Sequence, residues 1–362
     1  MRKLWIAVIL LVLVLAGCGK GEEPVRQLFF PEYTVLGQNV TVPAWFYPDT
    51  GEMEFFCPDC VHQCIDSAYA CREEIHGDEC LFYKFNGRSY SLVGDKLYYF
   101  LDRELYVYDT LTGERQCLKD MAIPGWDNES YIFKGEYLYH YDLNSLRKNS
   151  REYDKIERIH LPDGKVTDIS GQCIPARIVG DTAYYATADS SPYIVSGLYS
   201  QPLYEAGENP PAKELLLHGV ELGIALEITD EAVYWVGSDR LREDPDAVVH
   251  NLYRYDFAKQ SIILVAEDFY SSRIVSDGGY LYAVRQQENG DTLIRTDDYG
   301  NITVLGEAEE KQRLLPGTVE IVGMYVIADI VWDTESGGMK TGKMVYDTEA
   351  GEVQVYWLQE KT

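Results

Sequence analysis

Positive charge is scarce in this sequence: 32 lysines and arginines stand against 59 aspartates and glutamates, a net charge of −27. A field of that sign repels nucleic acid, anionic lipid and acidic wall polymers. It leaves cations, basic proteins or neutral ligands such as glycans. Solubility of an exported chain explains the same charge without any partner, and Glu307 to Glu310 and Asp239 to Asp246 read as solvated acidic loops. Enzyme signatures are missing as well. There is no Gly-x-Ser-x-Gly elbow, no His-Glu-x-x-His pair and no dinucleotide glycine fingerprint, so the sequence-readable hydrolase, zinc-protease and nucleotide sites are excluded. No Asp-x-Asp-x-Asp-Gly run offers a calcium loop. Gly337-Gly338-Met339-Lys340-Thr341-Gly342-Lys343-Met344 approaches a phosphate loop, but Met344 stands where a Ser or Thr should hold magnesium. A strand follows it rather than a helix, so no helix N-terminus faces a phosphate. The histidines His76, His140, His160, His218 and His250 are scattered, and no Ser-His-Asp order emerges. No catalytic residue is assigned.

Long apolar runs are confined to the start. Arg2 and Lys3 precede an unbroken apolar stretch from Leu4 to Leu15, the pattern of an export signal and too short for a membrane span of about 20 residues. Leu15-Ala16-Gly17-Cys18 then resembles a bacterial lipobox, which implies a lipid on Cys18 and removal of residues 1–17. Residues 18–35 read as the lipidated cysteine and a polar tether, placing the protein in the cell envelope. The expected site is the outer face of the cytoplasmic membrane, or the outer membrane if there is one.

What the chain has in abundance is tyrosine, 29 of them among 13% aromatic residues, a composition that suits strands. They are ordered. Gly94-Asp95-Lys96-Leu97-Tyr98, Gly135-Glu136-Tyr137-Leu138-Tyr139, Gly180-Asp181-Thr182-Ala183-Tyr184, Asp230-Glu231-Ala232-Val233-Tyr234, Gly278-Gly279-Tyr280-Leu281-Tyr282 and Gly323-Met324-Tyr325 repeat one phrase. Tyr98, Tyr139, Tyr184, Tyr234, Tyr282 and Tyr325 recur every 41 to 50 residues. The second half of each unit rhymes too: Leu105-Tyr106-Val107-Tyr108-Asp109 runs to Gly113, Leu252-Tyr253-Arg254-Tyr255-Asp256 repeats it, and Met344-Val345-Tyr346-Asp347 leads to Gly351. Alternation closed by Asp and Gly is a hairpin signal. A strand repeat of about 40–50 residues predicts a β-propeller, in which each sheet covers both faces against its neighbours. The tyrosines are then interblade packing, with a sugar-binding aromatic platform as the sharper alternative.

The fold expectation is therefore all-β: a single propeller over residues 36–362, with seven blades and six as the alternative. Val40 to Phe56 is expected to supply the extra blade or to close the ring, with Val353 to Leu358 as the C-terminal partner in closure. Val233-Tyr234-Trp235 with Leu252-Tyr253-Arg254 resembles the tyrosine-tryptophan propellers of lipoprotein receptors. Over roughly residues 36–358 the plan is similar to propeller lipoproteins of bacteria, which often carry a comparable Cys-x-His loop. The last unit departs from the pattern, since Gly323 precedes Tyr325 by two residues rather than four.

One segment is anomalous. Cys57, Cys60, Cys64, Cys71 and Cys80 crowd an insertion at 57–80 together with His62, while Cys117 and Cys173 lie apart. Cys57-Pro58-Asp59-Cys60 followed by His62 has the ligand types and spacing of a zinc knuckle. In an oxidising compartment the same cysteines become disulfides stapling a loop, and reduced or redox-active thiols are the third possibility. Asp95, Asp181, Asp230 and Asp277 recur near strand starts and could form an axial carboxylate ring, although turns favour Asp there in any case. Taken together, the sequence predicts a monomeric, envelope-anchored binding or scaffold lipoprotein for a protein or glycan ligand, with no nucleic-acid partner. A propeller enzyme acting on extracellular glycan and a metal- or redox-responsive sensor are the two alternatives. The sequence names no ligand-binding residue.

Overall fold

The computed structural model describes residues 24–29, 32–35, 38–41, 43–56, 90–101, 104–118, 129–142, 156–169, 174–188, 195–205, 208–218, 225–240, 248–287, 290–333 and 339–357. The elements among them are strands, arranged as seven blades of a β-propeller. Blade I is Gln27–Phe29, Ala44–Phe46 and Met53–Phe55; blade II is Tyr90–Val93, Lys96–Leu101, Glu104–Asp109 and Arg115–Cys117. Blade III comprises Glu129–Lys134, Tyr137–Asp142, Ile156–His160 and Lys165–Asp168; blade IV, Arg177–Val179, Thr182–Ala188, Val195–Pro202 and Glu214–His218. Blade V is Leu226–Ile228, Ala232–Arg240, Val248–Asp256 and Ser261–Ala266; blade VI, Ile274–Asp277, Tyr280–Arg285, Thr292–Thr296 and Ile302–Glu307. Blade VII is Glu320–Val322, Tyr325–Asp333, Met339–Asp347 and Glu352–Trp357, with Gln312–Leu314 beside the far end of its second strand. Within each blade the strands pair antiparallel in chain order. The first strands of blades II and III, V and VI, and VI and VII touch one another, which puts first strands about the axis.

Local chemistry explains the repeat. Gly94 and Gly278 begin their turns at φ 58 and φ 57, the positive region that a two-residue hairpin requires and that glycine enters without strain. The carbonyl of the next turn residue is then used again: Asp95 O accepts from Thr110 N at 2.8 Å, Asp181 O from Leu203 N at 2.7 Å, and Met324 O from Thr348 N at 2.9 Å. The recurrent Asp at the end of the third strand caps the following turn. Asp109 Oδ1 accepts the Leu111 and Thr112 N–H groups, Asp297 Oδ1 those of Tyr299 and Asn301, and Asp347 Oδ1 those of Glu349 and Ala350.

The tyrosine series sits between blades. Tyr98 packs with Leu138 and Ile159 of blade III, Tyr184 with Ile228 and Val233 of blade V, and Tyr234 with Ile274 and Leu281 of blade VI. Tyr139 and Tyr282 likewise face blades IV and VII. The sixth tyrosine does not belong to the set. Pairing places Ile327 opposite Val345 as Tyr98 is opposite Val107, so the equivalent buried position in blade VII is Ile327. Tyr325 begins its strand, half-exposed, two residues too early. Three of the tyrosines face an arginine on the next strand, Tyr139 with Arg158, Tyr234 with Arg254 and Tyr282 with Arg295.

Ring closure differs from the expectation of strands shared between chain ends. Glu352–Trp357 completes blade VII, and blade I takes its first strand, Gln27–Phe29, from N-terminal to residue 36. Among the described residues the two blades share no strand; they meet by packing, by the Gln27 Nε2 to Glu320 Oε2 hydrogen bond at 2.6 Å and by Tyr356 OH donating to Asp49 O at 3.4 Å. Phe46, Ile327 and Val345 form the seam with Phe29, Met53 and Tyr356 around them, each fully buried side chain worth about 1.5–3 kcal/mol. Gly51 lets the Tyr356 ring approach: a Cβ there would stand 2.1 Å from Cδ1. Between the first and second strands of blade I, where the other blades make short turns, the chain inserts a hairpin of Glu32–Val35 and Gln38–Thr41. The near-phosphate-loop run is partly strand, from Met339 onward, and Lys343 in it is buried against Asp329 Oδ1 at 2.5 Å and over the Phe29 ring at 3.7 Å.

Candidate functional site

Every first strand of a propeller ends near the axis, so a polar residue on it meets its counterparts from other blades. Arg177, Glu227 and Glu320 each stand three residues before their turn, and Lys134 stands one before its own. Together with Arg273 they place charge from blades III to VII about the axis. Arg177 Nη1 lies 2.6 Å from Glu227 Oε2, an ionic contact off the hydrogen-bond axis, and Ser276 Oγ donates to Glu227 Oε1 at 2.8 Å. Arg273 Nη1 is 3.3 Å from Glu320 Oε1, and Gln27 Nε2 of blade I donates to Glu320 Oε2 at 2.6 Å. Burial raises the Glu227 carboxyl above its ordinary value, opposed first by Arg177. The Tyr90 hydroxyl of blade II is pushed up to about 12 by burial, with Glu320 adding and Arg273 opposing. The axis is thus a stitched network of paired ions, and a buried ion pair of this kind fixes geometry more surely than it adds stability.

Lys134 stands outside that stitching. Its Nζ donates to Ala176 O at 3.3 Å, across the boundary between blades III and IV. Burial lowers its pKa, and the Arg177 charge lowers it further. Around it opens a groove of about 740 Å³ lined by Lys134, Glu136, Tyr137, Arg177 and Asp181, on the face that carries the short first turns. A second hollow of about 350 Å³ adjoins it through Tyr137 and Asp181 and runs outward past Arg158, His160 and Lys165. Its walls are tied across the blades: Arg158 donates to Tyr204 O, and Lys165 Nζ pairs with Glu205. His160 Nδ1 meets Asp163 Oδ1 at 2.8 Å, and its Nε2 is 3.6 Å from Glu136. Such a groove holds hydrogen-bonding and ionic groups of both signs beside aromatic rings, which is what orients a polar ligand.

The residues singled out by sequence fare unequally. Asp95, Asp181 and Asp230 sit exposed at turns and Asp277 exposed at the end of its strand; Asp181 reaches the groove, and Asp95 holds Arg26 at 3.3 Å. Of the histidines, His160 lines the outer hollow and His140 is buried with Nδ1 3.0 Å from Glu157. Cys117 lies beside Glu104, its sulfur 3.6 Å from Oε2. Cys18 and the cluster Cys57, Cys60, His62, Cys64, Cys71 and Cys80 lie outside the described residues, and among the described residues no His, Cys, Asp and Glu group is arranged to hold a metal. Lys134, Arg177, Glu227 and Glu320 were missed. A signal existed, since three of the four occupy one register of the repeat in otherwise apolar strands.

No family model and no curated protein matches the sequence. Solved structures do. The acylaminoacyl peptidase of Pyrococcus horikoshii aligns with a TM-score of 0.53 at 11% identity, over 92% of this chain and 50% of its own. A puromycin-hydrolyzing peptidase of Mycobacterium tuberculosis aligns at 0.52 and 13%, over 94% and 55%. The β-propeller domain of the Trilobed protease from Pyrococcus furiosus aligns at 0.50 and 11%, over 88% and 93%, and is described as having an open velcro topology. What they share with this chain is the propeller. The chain spans about half the length of the two peptidases, and at these identities the likeness is one of fold.

Proposed function

We propose that this chain is an envelope-anchored lipoprotein whose propeller is a binding module, holding a protein or glycan ligand on the face that carries the short first turns. The groove between blades III and IV carries this reading, because it puts Lys134, Tyr137 and Arg177 on one polar concavity between two adjoining blades. Recognition is by shape and hydrogen bonding. The lipid on Cys18 would keep that face at the membrane surface. Affinity for a panel of soluble oligosaccharides and envelope-protein extracts, read on the full chain, on Tyr137→Ala and on Lys134→Met, tests the face: a bound species whose affinity neither substitution changes refutes it. Metabolic labelling with a palmitate analogue tests the anchor, which predicts labelling of the parent and none of Cys18→Ser.

A further inference from the structure

Lys134 is a half-buried cation that no carboxylate among the described residues pairs with. Among the described residues its one hydrogen bond is to the Ala176 carbonyl, and no carboxylate lies within ion-pair reach. Arg177, the other cation in the groove, spends one side on Glu227 and keeps 40% of its side chain exposed. Two neighbouring positive groups at the inner end of a concavity disfavour each other and favour an anion between them. Glu136 and Asp181 stand further out, at the exposed turn tips. Carboxylates in that position repel a bare anion that stays at the mouth, and accept hydrogen bonds from hydroxyl groups. The overall charge of −27 does not decide the matter. Exposed charges beyond about 8 Å are largely screened at physiological salt, whereas a contact in a partly buried groove is screened much less.

We infer that the groove between blades III and IV takes an acidic sugar, its carboxylate or phosphate at Lys134 and Arg177 and its hydroxyls at Glu136 and Asp181. This rests on the groove being the binding face, as proposed above. A planar or tetrahedral oxyanion fits the two donors, Lys134 as a point charge and Arg177 as a fork. A neutral sugar leaves Lys134 unpaired and forgoes the charged contact. Nucleic acid is disfavoured by the rim carboxylates, which would face a second row of phosphates.

Calorimetric titration of the full-length protein with glucuronate, glucose 6-phosphate and glucose decides it. The expected result is saturable binding of at least one acid, with glucose about tenfold weaker or more. Lys134→Met should weaken the acid by about tenfold or more while Lys134→Arg restores it to within about threefold. Whichever acid binds identifies carboxylate or phosphate as the recognised group. Lys134→Met removes a charge that has no ion pair among the described residues, so the fold should hold, and Lys134→Gln with an unfolding curve guards that point. Absence of acid binding, or the same affinity in Lys134→Met and Lys134→Gln, overturns the inference. Should a neutral glycan or a protein bind and be lost in Tyr137→Ala but not in Lys134→Met, the acidic sugar falls and the binding face stands. Binding indifferent to Lys134→Met, Lys134→Gln and Tyr137→Ala removes the face as well.

Discussion

Ile327→Ala should cost this protein far more than Tyr325→Ala, although the tyrosine is the residue that continues the visible repeat. Ile327 is 0% exposed and packs against Phe46, also 0% exposed, and Val345 across the seam between blades VII and I. The substitution removes three carbons, worth about 2.4 kcal/mol of transfer free energy at about 0.8 per carbon. Phe46 is fixed by its own sheet, so part of the vacated volume persists and the loss should reach about 3–4 kcal/mol. Tyr325 lies at the strand start, half-exposed, and covers only the edge of the same cluster; its removal should cost about 1 kcal/mol. Urea unfolding followed by tryptophan fluorescence, with Trp45, Trp235, Trp332 and Trp357 among the reporters, measures both. Equal losses, or a larger one for Tyr325, would show that the pairing of Tyr325–Asp333 with Met339–Asp347 has been misread by two residues.

Gly300→Ala should be worse than Gly94→Ala, since a Cβ at 300 would stand 2.1 Å from the Val265 carbonyl oxygen while nothing lies within 4 Å at 94. Left-handed strain alone costs about 1–2 kcal/mol, and only Gly300→Ala adds a backbone displacement; thermal midpoints separate the two. Tyr234→Phe should lose about 1–3 kcal/mol, because the hydroxyl donates to Asp298 at 2.5 Å and accepts from Arg254 Nε at 3.0 Å in the boundary between blades V and VI; a loss no greater than that of Tyr98→Phe would refute the network. The Glu227 carboxyl has its pKa raised in the fold from about 4.5, so its contribution is fullest below that value and is lost as pH climbs through the folded pKa. Arg177→Met removes the group opposing the rise and should steepen the fall in stability from pH 4.5 upward, whereas Glu227→Gln should flatten it relative to the parent. Parallel pH profiles of the unfolding midpoint for all three proteins would sink this account.

Features that depend on neighbours in sequence were readable. The turn glycines, the Asp caps and the alternation of Leu97, Tyr98 and Tyr99 are each settled within a few residues, and their spacing alone implied blades. Tyr325 misled because a tyrosine two residues off the register looks the same as one on it until pairing fixes which face it takes. Blade I was harder, because its first turn is replaced by an inserted hairpin and the repeat phrase is absent. The register shared by Arg177, Glu227 and Glu320 was legible, but the groove that brings Arg177 to Lys134 was not. Lys134 and Arg177 are 43 residues apart, and each alone resembles any charged residue near a turn.

The sequence by itself determined that strands of one kind recur at one spacing, and therefore that sheets must stack around a ring to cover their faces. Only the tertiary structure decided how many sheets close it, that Phe46 packs against Ile327 at the seam, and that Lys134 faces an arginine from the next blade. Turn chemistry is local and survives in the one-dimensional pattern. Contacts between blades arise from the stacking angle and register of whole sheets, which no short stretch of residues encodes.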